Sequence, residues 1–226
     1  MKNMTENDGN KTAILGENDY RRRMKLDVEP YLRSYEADGY VESYDKTAIY
    51  YRTYRIPQAK AGIVISHGFC EFAEKYMEVI YYFLKNGYSV YIPEHRGHGY
   101  SDRPVEDGEK VHIEDYEQYV QDFRYFIKKV VEPKEEKIIL FCHSMGGAIG
   151  VRYLEEFPLT FDAAILSAPM LGINTGKYPK WLAKLAADFF CLIGKGTRYA
   201  AGQGGFLDRP SFETSSCLSK DRYMYV

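Results

Sequence analysis

A serine with small neighbours lies in the segment CHSMG at residues 142–146. An apolar run at residues 137–142 precedes it, and a helical pattern follows it. A strand, a sharp turn and a helix in this order expose a serine hydroxyl at the edge of a sheet, where it can attack a carbonyl carbon. Such a turn favours small residues two positions away on each side, as Gly146 is, whereas Cys142 stands where glycine is usual. Taken alone, the motif also suits a serine that only caps a helix, but its strand-turn-helix context favours Ser144 as a nucleophile.

A second motif could supply the hydrogen-bond donors that acyl transfer needs. Attack on a carbonyl creates an oxyanion, which enzymes bind with two N–H groups. The apolar run at residues 61–66 ends in His67-Gly68-Phe69, and one donor in such a fold comes from the loop after this strand. We therefore predict that the backbone N–H groups of Phe69 and Met145 form the oxyanion hole. For His67 we favour a hydrogen bond that shapes the loop over a role in proton transfer.

The loop EHRGHGYSD at residues 94–102 carries two histidines and two acidic residues after the apolar run at residues 89–93. This set could bind a metal ion. Its glycines favour a tight loop instead, and no other cluster in the sequence completes a coordination sphere. The four cysteines contain no CxxC pair, which argues against a zinc site and a disulfide framework. We expect a structural loop beside the active site, with neither a metal nor a cofactor.

Three motifs in one order carry a resemblance to a known family. With them, the chain resembles the monoacylglycerol lipase/lysophospholipase branch of the α/β-hydrolases, also labelled serine aminopeptidase S33-like. The segment SAPML at residues 167–171 is similar as well, and the resemblance covers roughly residues 36–226. The three motifs are HGFCEFAEKY at 67–76, EHRGHGYSDRP at 94–104 and HSMGG at 143–147.

The resemblance implies a carboxylic-ester hydrolase that forms an acyl-enzyme at Ser144. It implies a lipid-like substrate with one acyl chain, such as a monoacylglycerol or a lysophospholipid. Two residues depart from the family pattern, Cys142 in place of glycine and Glu94 in place of aspartate, and neither removes the nucleophile. A peptidase or thioesterase would use the same machinery. The alternative from another class is a non-catalytic binding protein with this fold.

No histidine follows Ser144 in the sequence. In this fold the triad runs in the order serine, acid, histidine. We therefore hypothesise that the chain is a C-terminally incomplete copy of a longer enzyme, with the triad acid and histidine outside it. Because a serine without a base is a weak nucleophile, we expect little or no turnover from the 226 residues alone. The histidines are His67, His95, His98, His112 and His143.

The elements around these motifs predict an α/β fold. Apolar strands alternate with helical patterns, which indicates a mostly parallel sheet with helices on both faces and, over it, a partial cap. By the resemblance, the last strands of the sheet are missing. We predict three regions: a flexible leader at residues 1–26, an incomplete α/β-hydrolase core at 27–171, and a cap or lid at 172–226.

Composition narrows the function classes further. The 30 Lys and Arg nearly balance the 32 Asp and Glu, for a net charge of −2, which argues against a nucleic-acid partner. The first 30 residues lack the apolar stretch of a signal peptide, and the longest apolar runs are too short to span a bilayer. We expect a cytoplasmic protein and leave open a transient contact with a membrane surface. Composition fixes neither the oligomeric state nor the head group of the substrate.

Overall fold

Six strands form one sheet in the computed structural model, which describes residues 14–108, 110–172 and 179–198. Their spatial order is first, second, fourth, third, fifth, sixth. The second strand is antiparallel to both of its neighbours, and the other three pairs are parallel. In chain order the strands are β1 (Glu36–Glu42), β2 (Ala48–Tyr54), β3 (Gly62–Ser66), β4 (Ser89–Pro93), β5 (Ile138–His143) and β6 (Ala163–Ser167).

Helices cover both faces of this sheet, so the predicted fold class is confirmed. The first three pack against one face, and the fourth and fifth against the other. Short 3-10 turns at Glu17–Asp19 and Ala73–Tyr76 and π turns at Met24–Val28 and Ile127–Val131 extend these helices. The helices are α1 (Tyr20–Arg23), α2 (Glu29–Arg33), α3 (Met77–Lys85), α4 (Glu117–Phe126), α5 (Met145–Glu156) and α6 (Lys180–Leu192).

Alternation along the central strands builds two cores. Successive side chains of a strand point to opposite faces, so an apolar strand supplies both layers. In β3, Ile63 and Ile65 belong to the core under α1–α3, whereas Val64 belongs to the core under α4 and α5. All five residues of β3 and of β4 are buried, as the two-sided cover requires. The continuous apolar runs in the sequence follow from this burial.

The flexible leader predicted for residues 1–26 is wrong for the part that the structure describes. Helical turns run from Glu17 to Arg33, and Leu15 and Met24 are buried in the core that contains α3. Met24, Val28 and Leu32 recur every four residues and form one apolar stripe. Charged residues lie between these three positions, so the helical period of the apolar residues is difficult to recognise in the sequence. Residues 1–13 lie outside the described residues.

Beyond residue 171 the structure describes one helix of the predicted cap. This helix is α6, which begins directly after Pro179, and Lys184 and Asp188 pair on it at 2.7 Å. Its apolar side chains, including Trp181 and Phe189, are exposed. Residues 173–178 and 199–226 lie outside the described residues, so the cap stays a prediction. Within the described ranges no helix has the length and apolarity needed to cross a bilayer.

Candidate active site

Ser144 occupies a sharp turn between β5 and α5. Its backbone has φ 52° and ψ −118°, a left-handed conformation that is uncommon for a residue other than glycine. Three hydrogen bonds hold this conformation: the Ser144 N–H donates to the Ser167 carbonyl at 3.1 Å, and its own carbonyl accepts from Gly147 at 2.9 Å and Met170 at 2.8 Å. The end of β6 and the residues after it therefore fix the turn that carries the predicted nucleophile.

Gly146 brings this turn into contact with the end of β3. A Cβ atom at Gly146 would lie 2.1 Å from the Ser66 carbonyl oxygen and 2.5 Å from that of His67. A Cβ at Gly147 would lie 2.6 Å from the Cα of Pro169. All three of these atoms belong to the backbone, so they cannot rotate away as the end of a side chain could. The demand for small residues after Ser144 is thus a demand for close backbone approach.

Gly150 explains how Cys142 replaces the usual glycine. The Cys142 side chain is fully buried, and its Sγ lies 2.4 Å from where a Cβ of Gly150 would be. The Cys142 side chain therefore occupies space that Gly150 leaves free on α5, nearly two helical turns beyond the serine. Burial also raises the pKa of the Cys142 thiol to about 12, so this thiol stays protonated at neutral pH.

Substitutions at these two positions are expected to be strongly coupled. Gly150→Ala should cost about 1–3 kcal/mol of unfolding free energy, because the new methyl overlaps Sγ and overpacks the core. Cys142→Ala removes Sγ, and its Cβ would lie 3.7 Å from the new methyl, an ordinary contact. The double variant should therefore be at least about 1 kcal/mol more stable than the sum of the single changes predicts. Urea denaturation of the four proteins measures this cycle, and simple additivity would contradict the packing.

The peptide between Gly68 and Phe69 is held from one side. The His67 ring accepts the N–H of His95 at Nε2, at 2.9 Å, so its proton lies on Nδ1. Nδ1 then donates to the Gly68 carbonyl at 2.8 Å. In a trans peptide the C=O and the following N–H point in opposite directions. Holding the Gly68 carbonyl therefore fixes the direction of the Phe69 N–H, and His67 shapes the loop as predicted.

A carboxylate holds the other side of Gly68. Glu71 accepts the Gly68 N–H at 2.7 Å and the Tyr76 hydroxyl at 2.6 Å, both on Oε2. A Cβ on Gly68 would lie 2.7 Å from this oxygen and 3.2 Å from the Cβ of Ser144, so a larger residue here would displace the Glu71 carboxylate from its hydrogen bonds. Glu71 and Tyr76 were not predicted as functional residues from the sequence. Their presence in the HGFCEFAEKY motif was the signal available, and it does not reveal which backbone group each one binds.

The two predicted oxyanion donors have no other acceptor among the described residues. Met145 is the first residue of α5, where an N–H has no partner within the helix. The Phe69 N–H makes no hydrogen bond to a described residue, although both neighbouring polar groups of Gly68 are engaged. The Phe69 side chain is exposed at 57%. The assignment of Ser144, Phe69 and Met145 as site residues stays a prediction, and this geometry supports it.

The loop at residues 94–102 is organised by its own carboxylate. Glu94 is fully buried and accepts the N–H groups of Ala73 at 3.0 Å and Tyr100 at 2.6 Å. Burial raises the pKa of Glu94. A Cβ on Gly99 would lie 1.8 Å from this carboxylate, and Gly99 has φ +49°. Glu94, the second departure from the family pattern, therefore ties this loop to the turn that precedes α3.

Arg96 anchors the same loop to α4 and to the first hairpin. Its guanidinium donates twice to the Asp122 carboxylate, with both distances at 2.6 Å, and once to Asp45 at 3.0 Å. Arg96 and Asp122 are both buried, so this paired, bidentate geometry is what makes their charges tolerable. The arginine of the RGHG segment is structural, as we predicted for this loop.

Three buried histidines lie beneath the loops. The ring centroids of His67 and His95 are 4.3 Å apart, and those of His67 and His98 are 5.3 Å apart. Burial lowers the pKa of His67 to about 3, and the pKa values of His95 and His98 are lowered for the same reason. These rings are neutral in the folded protein at neutral pH. In the part of the chain that the structure describes, no group of three metal-ligating side chains is arranged to bind an ion.

The histidine cluster predicts a loss of stability in mild acid. The folded pKa values lie below the unfolded value of about 6.5, so the unfolded chain binds more protons below that pH. Stability is therefore fully present above pH 6.5 and falls as pH decreases, by up to about 1.4 kcal/mol per pH unit for each histidine. Urea midpoints at pH 7.5, 6.5 and 5.5 measure the fall. His112→Gln, outside the cluster, should keep it; equal midpoints at all three pH values would contradict the expectation.

No described histidine contacts the Ser144 hydroxyl. The ring of His143, its neighbour in sequence, lies 3.4 Å from the Ser167 hydroxyl. Both ring nitrogens of His67 are engaged with backbone groups. A general base for Ser144 is therefore not present among the described residues.

The sequence of this chain matches one family model and several curated relatives. The model of the family "Serine aminopeptidase, S33" matches residues 57–215. Lysophospholipase L2 of Escherichia coli strain K12 is 37% identical over 123 residues, which are 54% of this chain and 36% of that protein. Monoacylglycerol lipase of Mycolicibacterium smegmatis is 36% identical over 132 residues, 55% of this chain and 45% of that protein. The chain thus spans less than half the length of these curated relatives.

Two solved structures have a fold similar to that of this chain. A thermostable carboxyl esterase from Bacillus coagulans, solved with glycerol, has a TM-score of 0.58 and 22% identity, over 73% of this chain and 53% of that one. A soluble variant of monoglyceride lipase from Saccharomyces cerevisiae, solved with a substrate analog, has a TM-score of 0.57 and 19% identity, over 73% and 55%. At these identities the likeness shows a shared fold.

Proposed function

Because the chain belongs to the serine aminopeptidase S33 family and has the α/β-hydrolase fold, we propose that it is the nucleophile-bearing part of a serine hydrolase for carboxylic esters. One observation carries this proposal: Ser144 is held in a left-handed turn beside two N–H groups, of Phe69 and Met145, that have no acceptor among the described residues. A hydroxyl next to two unused donors is the arrangement that acyl transfer requires.

The proposed reaction proceeds in two steps. Ser144 Oγ forms a bond to the ester carbonyl carbon, its proton passes to a base, and the carbonyl oxygen becomes an oxyanion held by the two N–H groups. Collapse of this intermediate breaks the bond to the alcohol, which leaves with a proton, and an acyl-enzyme remains. Water then releases the carboxylic acid. The left-handed turn contributes by fixing Oγ before the substrate arrives.

We infer a lipid-like substrate with one acyl chain. The names of the curated relatives, a lysophospholipase and a monoacylglycerol lipase, support this class. The exposed apolar side chains of α6 support it too, since Trp181, Leu185 and Phe189 offer a surface on which an acyl chain could lie. The small-molecule ester is the partner we propose, with the protein in the cytoplasm.

The base of this reaction is proposed to come from residues that the structure does not describe or that are not among the 226. All five histidines lie at or before His143, and none contacts the Ser144 hydroxyl. The 226-residue chain alone should therefore show little or no turnover. Residual catalysis from an oxyanion hole without a complete triad is still expected to exceed the uncatalysed rate.

A substrate panel tests the proposal. It compares p-nitrophenyl esters of several chain lengths, a monoacylglycerol, a lysophospholipid, an acyl thioester and an aminoacyl p-nitroanilide. The 226-residue chain is assayed beside the longer product wherever the reading frame continues past Val226. Preference for the single-chain lipid esters supports the proposal, and preference for the anilide or the thioester would identify a peptidase or a thioesterase instead.

The second candidate is a non-catalytic protein that binds a ligand at the same fold. The absence of a base beside Ser144 among the described residues favours it. A fluorophosphonate probe discriminates the two, since it labels only an activated serine. A longer product that neither reacts with the probe at Ser144 nor cleaves any ester of the panel would support this candidate and exclude the hydrolase.

A further inference from the structure

A cavity on the outer face of α4 has a strongly basic lining. It is an open surface groove with a volume of about 380 Å³. The spacing of its lining residues places them on one side of the helix and of the π turn that continues it, opposite the buried Val120 and Phe123. We call this site the α4 groove; its lining residues are Gln121, Arg124, Tyr125, Lys128 and Lys129.

The charge of the α4 groove is largely uncompensated. Three of its five lining residues are cationic and none is acidic, although the whole chain has a net charge of −2. Lys128 pairs with Glu132 at 2.9 Å. By contrast, neither Arg124 nor Lys129 forms an ion pair with any described carboxylate. Two cationic residues thus line the α4 groove without a carboxylate partner among the described residues.

Both unpaired cations are held in place by rings. The guanidinium carbon of Arg124 lies 4.1 Å from the ring centroid of Phe157, and the Lys129 ammonium lies 5.0 Å from that of Tyr125. A guanidinium stacked on a ring keeps its N–H edge available for a bidentate acceptor. The Lys129 ammonium also donates to the Glu42 carbonyl at 2.9 Å, which leaves two of its three protons. Each of the two cationic groups is therefore restricted by its own contacts before any ligand binds.

Stabilisation of the helix explains only some of the cationic residues in the α4 groove. Cations near the end of a helix are stabilised by the helix dipole, which accounts for Lys128 and Lys129. Arg124 is in the last turn of α4, seven residues before Val131, where the π turn that continues the helix ends, and it is half-buried with an aromatic contact instead of a carboxylate partner. Its placement inside a cavity, beside the amide of Gln121 and the phenol of Tyr125, is what the dipole does not explain.

We propose that the α4 groove is a binding site for a phosphate group. A phosphate monoester or diester matches a guanidinium fork in geometry and an ammonium in charge, and it accepts further hydrogen bonds from an amide and a phenol. The phosphate could belong to a soluble metabolite or to the head group of an anionic phospholipid. This site shares no residue with the turn that carries Ser144 and does not depend on the proposed hydrolase activity.

Calorimetric titration of the full chain with inorganic phosphate at low salt tests the site. Arg124→Gln/Lys129→Gln should weaken binding by at least about tenfold, since each change removes a charge-assisted hydrogen bond. The matched control is Arg22→Gln/Lys25→Gln, which removes the same two charges at exposed positions outside the groove. The control should change binding less than about twofold, because distant surface charges are screened. Urea midpoints of both variants confirm that each is folded.

Cosedimentation with vesicles distinguishes the two sources of phosphate. Binding to vesicles that contain phosphatidic acid but not to pure phosphatidylcholine, lost in Arg124→Gln/Lys129→Gln, assigns the site to a lipid head group. Saturable binding of inorganic phosphate without vesicle binding assigns it to a soluble phosphate. The proposal is overturned if neither probe binds, or if the matched control weakens binding as much as the groove variant does.

Discussion

In a longer product of the reading frame that supplies the base, Ser144→Ala is expected to abolish covalent labelling by a fluorophosphonate and to slow ester hydrolysis by at least about 10³-fold. The physical reason is that, under the proposed function, Ser144 Oγ is the atom that would bond to phosphorus or to the carbonyl carbon. The backbone of the turn should persist, because its three hydrogen bonds use main-chain atoms only. The loss should therefore appear in reactivity and not in the urea midpoint.

The matched control for this variant is Ser34→Ala, at an exposed serine after α2. Labelling is followed by intact-protein mass spectrometry, on the 226-residue chain and on any longer product of the reading frame. Labelling of the Ser144→Ala protein to the same extent as a labelled unchanged protein would show that another residue is the nucleophile. Labelling only in the longer product would agree with a base supplied from outside the described residues.

Gly146→Ala is expected to have the largest effect on folding. Its methyl would overlap two backbone oxygens, those of Ser66 and His67, at 2.1 and 2.5 Å. Neither oxygen can move without separating the turn from the end of β3, so the substitution should cost about 3 kcal/mol or more of unfolding free energy. Domains are typically stable by only about 5–15 kcal/mol. The substitution should therefore remove a large fraction of the unfolding free energy.

Gly108→Ala is the control for this substitution, since nothing lies within 4 Å of the position that its Cβ would occupy. Urea denaturation followed by far-UV circular dichroism compares the two variants. Gly108→Ala should unfold close to the unchanged protein. A midpoint for Gly146→Ala equal to that of Gly108→Ala would mean that the turn does not pack onto β3 as described.

Local patterns in the sequence were sufficient to predict the parts of the fold that depend on neighbours in the chain. Each of the strands β3, β4 and β5 is a short apolar run bounded by turn residues, so its position could be predicted closely from the sequence. The first hairpin turns at Asp45-Lys46, a local turn signal in the sequence, and Lys46 adopts a positive φ of 70°. The resemblance carried by three motifs then supplied the order of the site residues.

Contacts between distant residues could not be predicted in the same way. The space for Cys142 depends on Gly150 in the following helix, and sequence alone does not tell which glycine faces the thiol. Asp122 lies on α4 among polar residues, where nothing distinguishes the buried partner of Arg96 from a solvated acid. The helical turns before Arg33 were missed because their apolar stripe has only one residue per turn. In each case the three-dimensional packing determines a contact that the sequence pattern does not specify.

The two N–H groups beside Ser144 have a consequence for how such an enzyme would be inhibited. Donors that bind the oxyanion of an intermediate are also suited to a carboxylate, because both ligands place a negative oxygen at the same point. A fatty acid released from the acyl-enzyme carries that group. The geometry that stabilises the intermediate would therefore retain the product, and accumulation of free fatty acid would slow turnover by competition with the ester. The same pair of amides would set both the rate of acyl transfer and its sensitivity to its own product.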